Sequence, residues 1–247
     1  MTDASSPTSG LSEAEYARTE RNRVLIGDEA QRRLHASKVL MIGAGGLGSP
    51  CLLALTAAGI GAIDICETDT VDVSNLQRQT LYRVHDIGQP KAELAVERLS
   101  GLAPECTLRS VGRFSADRAA DLCAGVDLVI DGSDNFDTRF LAGDITAELG
   151  IPLVLGAVLG HEGQVAVFNW KDAHGRVGPA LRDLYAQPPS TPADPAQRGV
   201  LSSTTGVIGS LMAAEAIKIV SGASPAPGLL RYDGSRGSFK RFSISSS

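Results

Sequence analysis

An apolar run, Val39-Leu40-Met41-Ile42, opens directly onto Gly43-Ala44-Gly45-Gly46-Leu47-Gly48. An Ala/Leu-rich segment comes next, and then Ile63-Asp64-Ile65-Cys66-Glu67. This succession reads as strand, glycine turn, helix, strand. In such a unit Gly43 permits the tight turn, Gly45 lets backbone approach a phosphate, and Gly48 lets the helix pack on the strand. Gly46 belongs to the same turn. The helix start offers unpaired N–H groups and the positive end of its dipole to an anion. Glu67 lies about twenty residues beyond the last glycine, the separation of a ribose-binding acid. A glycine turn used only for close packing is the competing reading.

The residues beyond Glu67 separate the kinds of nucleotide. Ser74-Asn75-Leu76-Gln77-Arg78-Gln79 forms a polar loop, and Lys91 comes shortly after. A dehydrogenase binds pyrophosphate largely through backbone groups and has no evident need for these side chains. A nucleoside triphosphate carries about two more negative charges, which call for cations or metal. Asn75, Arg78, Gln79 and Lys91 together favour ATP. Asp69 and Asp72 read as turn residues.

Farther along, Val126-Asp127-Leu128-Val129-Ile130 reads as a buried parallel strand that ends in Asp131-Gly132-Ser133-Asp134-Asn135. Ligands of open α/β sheets bind beyond the carboxyl ends of the strands. The acidic loop therefore falls on the same edge as the glycine turn. Asp134 is the candidate magnesium ligand and Asn135 a neighbour of the nucleotide. An Asp in this position that merely caps the next helix is the plain alternative.

The remaining elements complete an α/β pattern. Charge is dense and helix formers are common over residues 13–34. Helices are expected over 92–102, 116–123, 136–149 and 204–221, with strands over 106–111, 152–157 and 164–169. A C-terminal hairpin is expected from 229–232 and 238–242. Residues 1–12, rich in Ser, Thr, Asp and Pro, read as a disordered tail. Residues 171–199 hold five prolines and form a long irregular segment. His161 reads as a turn residue.

A net charge of −5 argues against general nucleic-acid binding. No apolar run reaches about 18 residues and no signal-peptide pattern opens the chain, so neither a membrane span nor export is expected. Cys51, Cys66, Cys106 and Cys123 form no C-x-x-C pair and lie in apolar surroundings. They read as buried thiols of a reducing, cytoplasmic compartment.

The glycine turn with Ser49-Pro50, the Ser-Asn-Leu-Gln-Arg-Gln block, Asp86-Ile87-Gly88-Gln89-Pro90-Lys91 and Asp131-Gly132-Ser133-Asp134-Asn135 resemble the ThiF/MoeB/HesA family. These are bacterial relatives of ubiquitin-activating enzymes, and the likeness covers roughly residues 18–243. The resemblance implies a Rossmann-like, doubly wound, mostly parallel sheet extended by C-terminal antiparallel strands. It implies one adenylation domain over 13–247, with a nucleotide-binding half at 13–157. The carrier-binding half would be 158–247, with a crossover loop at 171–199. The implied reaction uses ATP, with Mg2+, to convert the C-terminal glycine carboxylate of a small ubiquitin-like carrier (ThiS/MoaD type) ending in Gly-Gly into an acyl-AMP, with release of pyrophosphate. Arg78, Lys91 and Asp134 would be catalytic. Arg21, in Arg18-Thr19-Glu20-Arg21-Asn22, would reach the partner's ATP across a homodimer, with Arg23 as the alternative. Glu67 stands where relatives carry aspartate.

Relatives also carry two zinc-binding cysteine pairs and a reactive cysteine, all missing here. Ala180-Leu181-Arg182-Asp183 stands at the first pair, the reactive position falls near Pro195, and the chain ends without the second pair. Neither structural zinc nor a covalent cysteine intermediate is expected. A sulfurtransferase is a possible further partner. Activation of a peptide or natural-product carrier, a non-catalytic scaffold and an NAD-dependent oxidoreductase are the rival readings.

Overall fold

The structure is a computed structural model that describes residues 10–172, 174–188 and 199–245. Eight strands form one sheet: β1 (Lys38–Ile42), β2 (Ala62–Cys66), β3 (Thr107–Ser110), β4 (Leu128–Asp131), β5 (Leu153–Leu159), β6 (Glu162–Phe168), β7 (Leu229–Asp233) and β8 (Ser238–Phe242). Their spatial order is β3-β2-β1-β4-β5-β6-β7-β8. The first five are parallel. β6, β7 and β8 continue the sheet by antiparallel pairing. The expected doubly wound sheet with its antiparallel extension is therefore present.

Around the sheet lie α1 (Glu13–Arg18), α2 (Glu20–Ile26), α3 (Asp28–Ala36), α4 (Gly48–Ala58), α5 (Lys91–Leu102), α6 (Ala119–Cys123), α7 (Phe136–Leu149), α8 (Leu181–Leu184) and α9 (Ser202–Ser221). The apolar run of β1 is continuous because both of its faces are covered. Val39 and Met41 pack with Leu52, Leu55 and Met212, whereas Leu40 and Ile42 pack with Phe140 and Phe168. α9 has the length and apolar character of a membrane-crossing helix. It is a core helix here, packed on α4 and β5. Gly209 permits that approach, since a Cβ there would lie 2.5 Å from the Leu47 carbonyl oxygen.

Several boundaries differ from the expectation: β5 runs on to Leu159, β6 begins at Glu162 and α9 begins at Ser202, and three further differences have a local cause. Packed structure begins before residue 13: Leu11 is buried, and the Ser12 hydroxyl accepts from the Glu15 N–H. Residues 116–118 form turns, so α6 is shorter than the expected helix. β4 starts two residues late because the Asp127 carboxylate accepts the Lys38 N–H at 2.8 Å, and it runs on to include Asp131.

β1 has β2 on one side and β4 on the other, so the strand order reverses between β1 and β4. In an open α/β sheet that reversal leaves a crevice at the carboxyl ends of the strands. The glycine turn leaves the end of β1 and the acidic loop leaves the end of β4, one on each lip of it.

Candidate active site

The two lips almost touch: a Cβ on Gly43 would come 3.3 Å from the Gly132 carbonyl oxygen. A cleft of about 1040 Å³ opens above them. Gly43, Gly45, Gly46, Glu67, Asn75, Arg78, Gln79, Lys91, Asp134 and Asn135 all line it. Gly48 lies beneath, where a Cβ would stand 2.1 Å from the Gly43 carbonyl oxygen. No side chain fits there while the turn keeps its shape.

The extra methylene of Glu67 lets its carboxylate fold back onto the turn. One oxygen accepts the Ala44 N–H at 3.1 Å, and the other accepts the N–H groups of Thr68 and Asp69, each at 2.8 Å. Tyr82 holds the same turn from below, its hydroxyl donating to the Ala44 carbonyl at 2.8 Å.

Asp72 and Asn75 shape the start of the polar loop. The Asp72 carboxylate accepts the Ser74 N–H, and the Asn75 side-chain oxygen accepts the Asp72 N–H. Asp72 is thus a turn residue, as expected. Asp69 does more, standing 3.4 Å from Lys91 Nζ. Lys91 is itself only 4 % exposed, an ammonium drawn largely out of water at the first residue of α5. Gln79 is buried beside Gly45, and its Oε1 has no hydrogen-bond partner among the described residues.

Asn135, not Asp134, caps α7, its side-chain oxygen accepting the Thr138 N–H at 2.9 Å. The Asp134 carboxylate is exposed to the cleft and takes no hydrogen bond among the described residues. Below it, Asp131 is fully buried, with Arg139 Nε 3.9 Å away. Burial pushes the Asp131 carboxyl up, and Arg139 opposes that only in part. Asp131 Oδ2, Ser133 Oγ and Arg139 Nε are all buried without a hydrogen-bond partner among the described residues.

Among the described residues five cations line the cleft. Lys91 faces Asp69, Arg139 faces Asp131, and Arg231 pairs with Glu162 at 2.6 Å. Arg78 and Arg113 have no carboxylate partner among the described residues. Arg78 donates only to the Ser74 carbonyl, at 3.0 Å. Five carboxylates, Glu67, Asp69, Asp134, Asp137 and Glu162, line the same cleft, and Arg78 and Arg113 are the guanidinium groups left free to meet an anion there.

Arg113, Arg139 and Arg231 are cleft residues that the sequence reading does not single out. Arg113 lies in an irregular stretch and Arg231 on a distant hairpin strand, so neither stands beside a motif. Arg139 does, five residues after Asp134 on an expected helix. His161 is exposed and does not line the cleft. Arg21 sits exposed on α2, away from the cleft of its own chain. Arg23 is tied down instead, pairing with Asp28 at 3.0 Å and stacking 3.3 Å over the Tyr16 ring.

At residues 180–183 the chain offers a packing anchor. Leu181 is fully buried against Gly143, and Arg182 makes a two-pronged ion pair with Asp144. There is no thiol here to hold zinc, since all four cysteines are buried elsewhere. Pro195, the position aligned with the reactive cysteine, lies outside the described residues.

Comparison with known proteins gives a consistent picture. The sequence model of the ThiF family matches residues 18–247. A sulfur carrier protein adenylyltransferase of Thermus thermophilus is 44 % identical, over 93 % of this chain and 88 % of that protein. A probable adenylyltransferase/sulfurtransferase, MoeZ, of Mycobacterium tuberculosis is 41 % identical over 96 % of this chain, which spans 62 % of MoeZ. Among solved structures, PaaA superimposes with a TM-score of 0.81 at 19 % identity, covering 99 % of this chain and 78 % of PaaA. The ATP complex of MccB from E. coli gives 0.76 at 17 % identity, covering 93 % and 72 %. These two likenesses concern the fold.

Proposed function

The chain belongs to the ThiF family, and from that premise we infer that it is an ATP-dependent adenylyltransferase. Its substrate is the C-terminal glycine carboxylate of a small ubiquitin-like sulfur carrier ending in Gly-Gly. The observation that carries this reading is the meeting of the glycine turn, Arg78, Lys91 and Asp134 around one cleft, with Arg78 free of any carboxylate partner among the described residues. The 44 % identity to a sulfur carrier protein adenylyltransferase supports the choice of substrate.

A carboxylate is a poor acyl donor because its oxygen leaves badly. Attack by that oxygen on the α-phosphorus of ATP forms a new P–O bond and breaks the bond to the β-phosphate. The products are acyl-AMP and pyrophosphate. The nucleophile already carries its charge, so the step needs no base, and catalysis reduces to alignment and charge stabilisation. Backbone N–H groups of the glycine turn and the start of α4 bind phosphate. Glu67, with lone pairs still open, accepts from the ribose hydroxyls, and Asn75, Gln79 and Asn135 hold the nucleotide by hydrogen bonds. Arg78 and Lys91 stabilise the charge that builds up as pyrophosphate leaves.

Asp134 suits magnesium. Its oxygens are uncommitted, and magnesium is commonly held by one or two carboxylates together with substrate phosphates. When bound, the ion neutralises phosphate charge. A second copy of the chain supplies Arg21 to the triphosphate, and a sulfurtransferase is the expected downstream partner. The location expected for this chemistry is the cytoplasm.

The test is ATP–pyrophosphate exchange with MgATP and a panel of ubiquitin-like carriers. The panel begins with the sulfur carrier protein of Thermus thermophilus, with its Gly-Gly-truncated form as control. Exchange that depends on the carrier and is lost on truncation is the expected result. Failure of every carrier in the panel to support exchange would overturn the assignment.

A further inference from the structure

Gln77 lies within the polar loop and has none of the roles given above. Its side chain reaches across the cleft rim, donating from Nε2 to the Val200 carbonyl oxygen at 3.3 Å. Val200 is a wall of the cleft, with Tyr185 as another; the Tyr185 hydroxyl accepts from Gln164 Nε2 at 2.6 Å. Two backbone bonds hold the Val200 wall to the turn after β5. The Gly160 N–H donates to Gly199 O at 2.9 Å, and the Leu201 N–H donates to Gly160 O at 3.1 Å. The bond from Gln77 is different in kind, because it ties this wall to the loop that carries Arg78.

The same segment feeds straight into α9. Leu201 precedes its first residue, and Thr205 in its first turn packs against the glycine turn. A Cβ on Gly46 would meet the Thr205 methyl at 3.3 Å and Arg78 Cδ at 3.4 Å. Gly46 thus has both Thr205 and Arg78 as close neighbours, and Gln77, next to Arg78 in the chain, bonds to Val200 of the segment that leads to Thr205.

We propose that Gln77 is a positioning residue that fixes the Val200 wall relative to Arg78, so that a peptide tail and a triphosphate are held in one register across the cleft. The inference rests on the adenylation reading and adds a coupling between its two substrates. An exposed side-chain bond of this kind adds little to folding stability, yet a small misplacement of reacting groups costs rate steeply.

Gln77→Met removes the donor while keeping length and charge. With the carrier that gives wild-type exchange, its carrier KM is expected to rise roughly three- to tenfold, the worth of one hydrogen bond. ATP affinity, measured calorimetrically without carrier, and thermal stability stay at wild-type values. Gln77→Lys restores an N–H donor of similar reach and returns the carrier KM toward wild type. An unchanged carrier KM in Gln77→Met overturns the inference. So does a rise matched by an equal loss of ATP affinity, or a Gln77→Lys protein as impaired as Gln77→Met. Absence of exchange in the wild type would count against adenylation itself, a separate failure.

Discussion

Arg78 and Asp134 are charged side chains of the cleft that contribute little to the fold. Arg78 binds one backbone carbonyl, and Asp134 leaves the helix cap to Asn135. Replacing either by alanine should leave stability within about 0.5 kcal/mol of wild type, as at surface positions free of special roles. Carrier-dependent exchange should fall far more, by about 2–4 kcal/mol in the transition state. Thermal melts and exchange rates on the same preparations check both halves, and near-normal exchange in Asp134→Ala would remove that residue from the mechanism. Their place on the cleft is legible in sequence because each lies in a loop that follows the carboxyl end of a strand. The fold-back of Glu67 onto Ala44 is not, because no spacing reveals which amides a carboxylate will find. Nor are Arg113 and Arg231, which only the tertiary fold carries to the cleft.

Among the elements, the most legible are those buried on two faces, because burial forces an unbroken apolar run. β1 and β2 fall where Val39-Leu40-Met41-Ile42 and Ile63-Asp64-Ile65-Cys66 place them. The start of β4 departs from its apolar pattern because a carboxylate, Asp127, takes the Lys38 N–H. The polar loop has its own tether, which no pattern announces. Asp86, 1 % exposed, accepts from Arg98 at 2.5 Å and from the Arg83 N–H at 2.6 Å, and Arg98 also donates to the Leu81 carbonyl. Burial alone would push the Asp86 carboxyl up, but the two donors outweigh it and hold the group below its ordinary range. A folded-state pKa below the unfolded one, about 3.9, gives stability that is present above that value and lost as pH falls through the folded value. Asp86→Asn should therefore be less stable than wild type at neutral pH and show a shallower loss on acidification. Urea midpoints from pH 7 down to pH 3 measure this, and equal acid slopes in the two proteins would contradict it.

At the scale of the whole molecule, one surface looks unfinished. Val24 and Leu25 stand side by side on α2, 83 % and 85 % exposed, and Arg21 is on the same helix, free of ion pairs among the described residues. Adjacent apolar side chains this open invite cover. The proposed two-fold dimer would cover them and would carry Arg21 to the partner's cleft, whereas Arg23 is held within its own chain by Asp28 and Tyr16. This arrangement predicts complementation between inactive proteins. Arg21→Ala lacks the arginine it lends, and Arg78→Ala lacks one of its own. Mixed and allowed to exchange subunits, they form heterodimers with one complete site, built from the wild-type Arg78 of one chain and the wild-type Arg21 of the other. Random pairing in a closed two-fold dimer makes roughly a quarter of all sites competent. Recovery of about that share of wild-type exchange is the expected outcome. Were Arg21 to act within its own chain, no heterodimer would hold a complete site, and the mixture would stay as inactive as its parts. Arg23→Ala separates the two arginines, because loss of its ties to Asp28 and Tyr16 lowers the melting temperature while the mixed-subunit assay stays silent about it.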